Sequence, residues 1–183
     1  GEVFQYLNED VQSHFLEDMD AEDVLAITGS MDMDDATDIL QQLPNAVIQE
    51  VLQSMDHQDR LRVERLISYD EDTAGGLMST EMVAVRAPIT LDVVLRYIRR
   101  HDELPQAFDQ IFIVNRKDQL IGVLPVAKLL VSDPSSTVRE IMITDMQGIP
   151  VNMPSREVAL LFERNDWVSA PVVDDNGLLI GRI

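Results

Sequence analysis

The sequence contains no cysteine and few basic residues: 14 lysines and arginines face 33 aspartates and glutamates in 183 residues, a net charge of −19. Without cysteine the chain can form neither a disulfide framework nor a thiolate metal site, which suits a reducing cytoplasm. Contacts to phosphate backbones need clustered basic side chains, so the charge balance excludes nucleic acid as the expected partner. The acidity favours a cation, with a surface that merely keeps the protein soluble as the alternative.

Long apolar runs are also missing. No stretch approaches the roughly 20 apolar residues that span a bilayer, and the best candidate, IGVLPVAKLLV, is interrupted by Lys128. The chain as given is therefore expected to be soluble. Its last residues, LLIGRI, are typical of an apolar strand without a closing turn, and we expect a fragment, so that a membrane part could lie beyond Ile183.

Catalytic motifs are missing too. The sequence has no nucleophile elbow, no phosphate-binding loop and no paired histidine and acid. Its three histidines, His14, His57 and His101, stand alone without the spacing of metal ligands. These absences predict a protein that is not an enzyme.

The acidic residues are concentrated in the first part of the chain. Residues 1–80 carry 19 acids and three bases, whereas residues 81–183 carry 14 acids and 11 bases. Residues 19–66 divide into four blocks of twelve: MDAEDVLAITGS, MDMDDATDILQQ, LPNAVIQEVLQS and MDHQDRLRVERL. Apolar residues recur within the blocks at helical spacing, and in the fourth block they include Leu61 and Leu66. This pattern predicts short helices that stack their apolar faces into a superhelix.

Much of the acidity is explained by helix starts. The second residue of each block is an aspartate, or in the third block Pro44, and both residue types favour a helix N-terminus. Asp34 and Asp38 do not fit this role, because they lie four residues apart within the second block. Like charges one helical turn apart are mildly destabilising unless a cation binds them. A solvated helix face is the alternative.

The second half contains an internal repeat. FDQIFIVNRKDQLIGVL and WVSAPVVDDNGLLIGRI align at an offset of 59 residues, with Val114 on Val173, Asn115 on Asp174 and LIG on LIG. Each reads as a strand, a polar turn and a second strand. An amphipathic helix precedes each hairpin (TLDVVLRYIRRH and SREVALLFERND), and a short strand precedes each helix (MVAV and GIPV). This order resembles a tandem pair of CBS (cystathionine β-synthase) domains, which are regulatory in the families that carry them.

The stretch SYDEDTAGGLMSTEMVAV is similar to the junction between the N domain and the first CBS domain in the MgtE family of magnesium transporters. The acidic superhelix before it also resembles that family, so the resemblance covers essentially the whole chain. It implies an α+β protein with an all-α superhelical N-terminal domain and a tandem CBS pair. The expected domains are 1–70 (N domain), 71–137 (first CBS domain with linker) and 138–183 (second CBS domain, truncated at its end).

The resemblance also implies a set of magnesium-binding positions. They are Glu2, Asp34, Asp38, Gly76, Glu163 and Asp166. Glu163 is included for its main-chain carbonyl, and Gly76 because the Gly-Gly pair is expected to let the backbone turn closely enough to present a carbonyl to the metal. Pro154 and Arg156 stand where relatives place acids, so a site there is expected to be lost or shifted.

The family functions as a cytosolic magnesium sensor, so the resemblance implies that Mg²⁺ bridges the N domain and the CBS domains and thereby closes a membrane pore. It implies a homodimer through the CBS domains, a transmembrane pore domain of the same protein as partner, and a place on the cytoplasmic face of the inner membrane. The alternative is an adenine-nucleotide-binding CBS module. Nucleotide binding is not the expected function, because Pro125 and Lys128 replace the hydroxyl and the acid of the usual motif. Trp167 could stack on a base, but packing in the core is the favoured role.

Overall fold

Four helices of the first half begin twelve residues apart. The computed structural model describes residues 21–28, 33–43, 45–100, 104–105 and 108–183, and the chain divides into two units, Gly1–Glu71 and Asp72–Ile183. The helices described in the first unit are α1 (Ala21–Thr28), α2 (Met33–Gln41), α3 (Asn45–Ser54) and α4 (His57–Ile67). Each begins two residues after the start of a twelve-residue block, which confirms the predicted repeat.

Alternate helices of this unit pack together, α1 on α3 and α2 on α4. Their shared core consists of Val24, Ile39, Leu40, Leu43, Ile48, Val51, Leu52 and Val63. The prediction that Leu61 belongs to this core is wrong, because the residue is 50% exposed while Val63 is fully buried. Residues two apart on a helix point about 200° apart, so α4 can bury only one of the two in the same core.

The start of α4 shows how aspartate caps these helices. The Oδ1 atom of Asp56 accepts a hydrogen bond from the amide of Asp59 at 3.0 Å, which satisfies one of the amides that a helix N-terminus leaves without a partner. This confirms the predicted role of the block-start aspartate in the fourth block. The corresponding positions Asp20, Asp32 and Pro44 lie outside the described residues.

The second unit contains two copies of one three-stranded arrangement. Its elements are α5 (Ala74–Leu77), β1 (Ala84–Arg86), α6 (Leu91–Ile98), β2 (Gln110–Val114), β3 (Leu120–Pro125), α7 (Val126–Val131), α8 (Val138–Ile141), β4 (Ile149–Pro150), α9 (Ser155–Asn165), β5 (Pro171–Val173) and β6 (Leu179–Arg182). In each sheet the first strand is parallel to the central one, and the central strand forms a hairpin with the last. This confirms the predicted strand, helix, strand, strand order; α8 is an additional helix that the sequence pattern did not indicate.

The two hairpins are equivalent in detail. Val114 pairs with Leu120 and Val173 pairs with Leu179. Just before each of these pairs the register shifts, and the extra residue lies in the last strand of the sheet. The turns of the two hairpins also contact each other, because the amide of Leu120 donates to the carbonyl of Gly177 at 3.0 Å. The 59-residue offset found in the sequence is therefore an offset between equivalent structural positions.

The one-turn helix α5 consists mostly of the AGG segment, which is Ala74, Gly75 and Gly76. The amides of Ala74 and Gly75 donate to the carbonyls of Met153 and Val151, each at 2.8 Å, which attaches the segment to the second copy. Neither glycine has a positive φ, a conformation that among the described glycines belongs to Gly177, and the expectation that the pair presents a carbonyl to a metal stays a prediction. The pair continues a helical turn against a neighbouring chain segment.

The helices of both units are short. α4 and α9 each have 11 residues. Within the ranges that the structure describes, no helix is both long and apolar enough to cross a membrane.

Candidate metal and ligand sites

Asp34 and Asp38 lie on the same helix, α2, four residues and therefore about one turn apart. At about 100° per residue, the two backbone positions are each about 200° from that of the buried Ala36 on the same helix. Because α2 begins at Met33, Asp34 lies in its first turn, where the helix dipole favours an acid. The sequence did not indicate this favourable interaction with the helix dipole for Asp34. Asp38 lies in the middle of the helix and does not have it.

Glu163 and Asp166 lie at the end of α9 in the second copy. Asp166 is the C-cap residue and adopts the left-handed conformation, with φ 51° and ψ 40°, which aspartate tolerates better than most residues. Both residues are exposed. Neither carboxylate has a hydrogen-bond or ion-pair partner among the described residues, so both are available to a cation.

Gly76 lies on α5, which packs against α9 but at the other end of that helix. The amide of Ser155, the first residue of α9, donates to the carbonyl of Asp72 at 2.8 Å just before α5. Eleven residues at 1.5 Å each place Asp166 roughly 16 Å further along α9. The structure therefore brings Glu163 and Asp166 together and leaves Gly76 apart from them.

The remaining predicted metal positions do not complete a site. Glu2 lies outside the described residues, and Asp34 and Asp38 belong to the first unit. In the part of the chain that is described, no group of three histidine, aspartate or glutamate side chains is placed to hold a metal ion. The available donors are single carboxylates and carboxylate pairs, which suit a Mg²⁺ ion that keeps several of its waters.

The two CBS copies meet where β2 begins, and we call Asp109, Gln110 and Ser169 the copy junction. The side-chain amide of Gln110 donates to the carbonyl of Ser169 at 2.8 Å and to its hydroxyl at 3.0 Å. That hydroxyl donates to the carboxylate of Asp109 at 2.5 Å. Ser169 is buried, so the junction is a closed polar network that the sequence analysis did not identify.

The segment that would hold a nucleotide follows β3, beside this junction. Pro125 is the N-cap residue of α7 and makes no side-chain capping bond, and Lys128 is exposed. Trp167 is half-buried and packs edge-on against Phe162, with ring centroids 5.8 Å apart; neither residue belongs to a buried core cluster of the described residues. An acid to bind ribose hydroxyls is absent from α7, all of whose residues are described.

A cavity of about 580 Å³ lies at the opposite end of the first sheet. We call it the arginine cavity, because Arg86, Arg116 and Arg139 contribute to its lining. Arg86 ends β1, Arg116 follows β2 and Arg139 lies in α8. No signal in the sequence indicates this grouping, since residues so far apart along the chain share no common motif.

Two family models match the chain. The model of the MgtE intracellular N domain matches residues 1–72, and the CBS domain model matches residues 74–132 and 138–183. Together they account for the helical first unit and for the two sheet-containing copies of the second.

Individual relatives agree with the family models. The magnesium transporter MgtE of Thermus thermophilus is 35% identical over 186 residues, which cover 100% of this chain and 41% of that protein. The MgtE of Bacillus subtilis is 28% identical over 84% of this chain and 34% of its own length. The chain thus spans less than half the length of these relatives.

A solved structure matches both units. The crystal structure of the cytosolic domain of the Mg²⁺ channel MgtE in complex with ATP is 34% identical, with a TM-score of 0.90, and the match covers 100% of this chain and 75% of that one. With a helical N region, a CBS pair and these relatives, the chain belongs to the MgtE family.

Proposed function

We propose that this chain is the cytosolic magnesium-sensing region of a magnesium transporter whose pore lies in another part of the same protein. The proposal rests first on charge: residues 1–80 carry 19 acids against three bases. Asp34 and Asp38 add a carboxylate pair on one helix, and on the CBS pair Asp166 adds an exposed carboxylate and Glu163 a main-chain carbonyl. Oxygen donors of this kind suit a hard, hydrated cation.

The sensing mechanism follows from repulsion between carboxylates. Two carboxylates 4 Å apart repel by about 1 kcal/mol in water, and a millimolar dissociation constant corresponds to only about 4 kcal/mol. Several acid pairs brought together between the N domain and the CBS domains would therefore separate them unless a cation compensates their charge. Mg²⁺, when bound, supplies that compensation, and the compact arrangement is the one proposed to close the pore.

Small-angle X-ray scattering during a magnesium titration tests this proposal. The radius of gyration should fall as MgCl₂ rises through the millimolar range, and more than it does in NaCl of equal ionic strength, which controls for simple screening. The Asp34→Asn and Asp38→Asn double variant should need more magnesium for the same change, whereas Glu50→Gln, on the exposed side of α3, should not. A radius of gyration that responds equally to both salts would contradict the proposal.

The wider assembly is part of the same proposal. We place the chain on the cytoplasmic face of the inner membrane, as a homodimer through its CBS domains and linked to a transmembrane pore domain. The proposed domain division remains 1–70, 71–137 and 138–183. Its role is regulatory rather than catalytic. Analytical ultracentrifugation of the chain tests the proposed homodimer, and a sedimentation coefficient of a monomer at all concentrations would contradict it.

Binding of adenine nucleotide is the second candidate, favoured by one observation: the 34% identical channel domain was crystallised with ATP. In this chain Pro125 and Lys128 weigh against the same mode of binding. Trp167 is the only tryptophan in the sequence, so its fluorescence reports on this region alone. A saturable change on adding ATP or AMP would support the second candidate; an unchanged spectrum together with no heat in calorimetry would remove it.

A further inference from the structure

The backbone places the three arginines of the arginine cavity on one end of the first sheet. Arg86 pairs in register with Val114 in the parallel strand, and Arg116 follows two residues later. The amide of Arg139 donates to the carbonyl of Ala87 at 2.9 Å, which holds α8 against the residue after β1. The grouping is therefore fixed by main-chain contacts and does not depend on side-chain rotamers alone.

Within the described ranges, two of the three guanidinium groups have no acidic side chain paired with them. Arg86 donates to Asp118 at 2.6 Å and forms an ion pair with it. Arg116 and Arg139 have no acidic partner among the residues that the structure describes. In a chain of net charge −19, two such groups beside one cavity are a local excess of positive charge.

The nearest acid in sequence to Arg139 is already bonded elsewhere. The carboxylate of Glu140 accepts hydrogen bonds from the amide of Thr137 at 2.6 Å and from its hydroxyl at 3.0 Å. These bonds form a capping box at the start of α8 and hold the pKa of Glu140 below its usual value. Glu140 therefore stays ionised and directed to its cap, and does not pair with Arg139.

The rest of the cavity lining is largely apolar. It consists of Ala87, Pro88, Ile89, Val114 and Ile121, with Asn115 as the remaining polar residue. The Oδ1 atom of Asn115 already accepts the amides of Lys117 and Gln119. A volume of about 580 Å³ falls in the range of small-molecule sites and far exceeds the space that one inorganic ion fills.

We propose that Arg116 and Arg139 form a phosphate-binding site in the arginine cavity, and that the apolar lining accepts the organic part of a soluble phosphate-bearing metabolite of about mononucleotide size. Guanidinium groups bind phosphate oxygens through paired N–H donors, which makes arginine well suited to this role. The site lies at the far end of β2 from the copy junction, about 13 Å away at 3.3 Å per residue. It is independent of the magnesium proposal.

Titration of the chain with pyrophosphate in magnesium-free buffer containing EDTA tests the phosphate part. The side-chain Nε–Hε NMR signals of Arg116 and Arg139 should shift saturably, and that of Arg99, at the far end of α6, should not. Arg116→Gln with Arg139→Gln should weaken binding about tenfold or more, since each lost charge-assisted hydrogen bond is strong; Arg99→Gln should leave it unchanged. Shifts that are equal at all three arginines, or that never saturate, would overturn the proposal.

Titration with AMP and with inorganic phosphate tests the organic part. AMP should bind more tightly than phosphate, and it should shift the methyl signals of Ile89 and Ile121 while leaving Trp167 fluorescence unchanged. Equal affinities for the two compounds would overturn the assignment of the apolar lining. If AMP quenches Trp167 fluorescence and still binds the Arg116→Gln variant, the ligand lies beside the copy junction. That result would overturn the proposal that it binds in the arginine cavity.

Discussion

Asn115 and Asp174 organise the two hairpin turns of the CBS pair in the same way. The Oδ1 atom of Asn115 accepts hydrogen bonds from the amides of Lys117 and Gln119, at 2.8 and 3.1 Å. The Oδ1 atom of Asp174 accepts them from the amides of Asn176 and Leu178, at 2.9 and 2.8 Å. One side-chain oxygen thus holds each turn, but it belongs to a neutral amide in the first copy and to a titratable carboxylate in the second.

This difference predicts that acid weakens the second turn and spares the first. The amide of Leu178 lowers the pKa of Asp174. Because the folded pKa is below the unfolded one, the stabilisation is complete above the unfolded pKa, near 4, and is lost as pH falls through the folded pKa. Hydrogen exchange should show Leu178 losing protection at acid pH while Gln119, its equivalent, keeps it.

Asp174→Asn is the matched variant, because it copies the first turn into the second. In this variant the protection of Leu178 should no longer depend on pH over the acid range. If Leu178 and Gln119 lose protection together in the natural sequence, general acid unfolding is the cause and the assignment to Asp174 is wrong.

The repeated LIG motif has a steric reason in both copies. A Cβ atom on Gly122 would lie 2.6 Å from the carbonyl oxygen of Ile143, and one on Gly181 would lie 2.9 Å from that of Ser79. In each case the approaching chain pairs with the residue after the glycine, as the bridges of Val123 to Ile143 and of Arg182 to Ser79 show. A glycine is needed at both places because a neighbouring backbone crosses there.

Gly122→Ala should therefore destabilise the chain by about 1–3 kcal/mol, the usual cost of overpacking, and Gly122→Asn should cost more. Gly177 provides the contrast, since it has φ +76° and no atom within 4 Å of an added Cβ. There alanine should cost about 1 kcal/mol from backbone strain, and asparagine should cost less than alanine because it tolerates this conformation. Urea unfolding measures the free energy of unfolding of the alanine and asparagine variants at both glycines. If the same one of the two variants is the more destabilised at Gly122 and at Gly177, the steric explanation is refuted.

The stacked helices allow a similar paired test. Leu40 is fully buried in the core of the first unit, whereas Leu61 is half exposed on α4. Leu40→Ala should cost about 2–5 kcal/mol, and Leu61→Ala should stay within about 0.5 kcal/mol. Urea unfolding, with hydrogen exchange of α2 and α4 as a local measure, decides between them; similar losses in both variants would restore Leu61 to the core.

These residues show what the sequence could predict. The strict repeats were sufficient to predict where the helices start and which hairpin positions are equivalent, because aligning the copies of a repeat fixes the equivalent positions. The repeats did not predict which apolar residue of α4 is buried. Leu61 and Val63 cannot both face one core, and only the packing of the helices selects Val63. The arginine cavity could not be predicted, since Arg86, Arg116 and Arg139 meet only once the parallel strand pair and α8 have formed. The metal positions came from family resemblance, and their assembly into sites stays a prediction.

Ser169 gives the last prediction, which concerns the copy junction. Its buried hydroxyl donates to Asp109 and accepts from Gln110, so Ser169→Ala should leave a half-buried carboxylate without this donor and cost about 1–3 kcal/mol. Ser169→Thr keeps the hydroxyl and should cost less, unless its extra methyl group is too large for the site. Ser135→Ala, which removes an exposed hydroxyl from Asp133, is the control and should cost much less. Urea unfolding followed by the fluorescence of Trp167, two residues away, measures all three. If Ser135→Ala and Ser169→Ala cost the same, the hydroxyl of Ser169 does not join the two copies, because a buried network must lose more than an exposed turn.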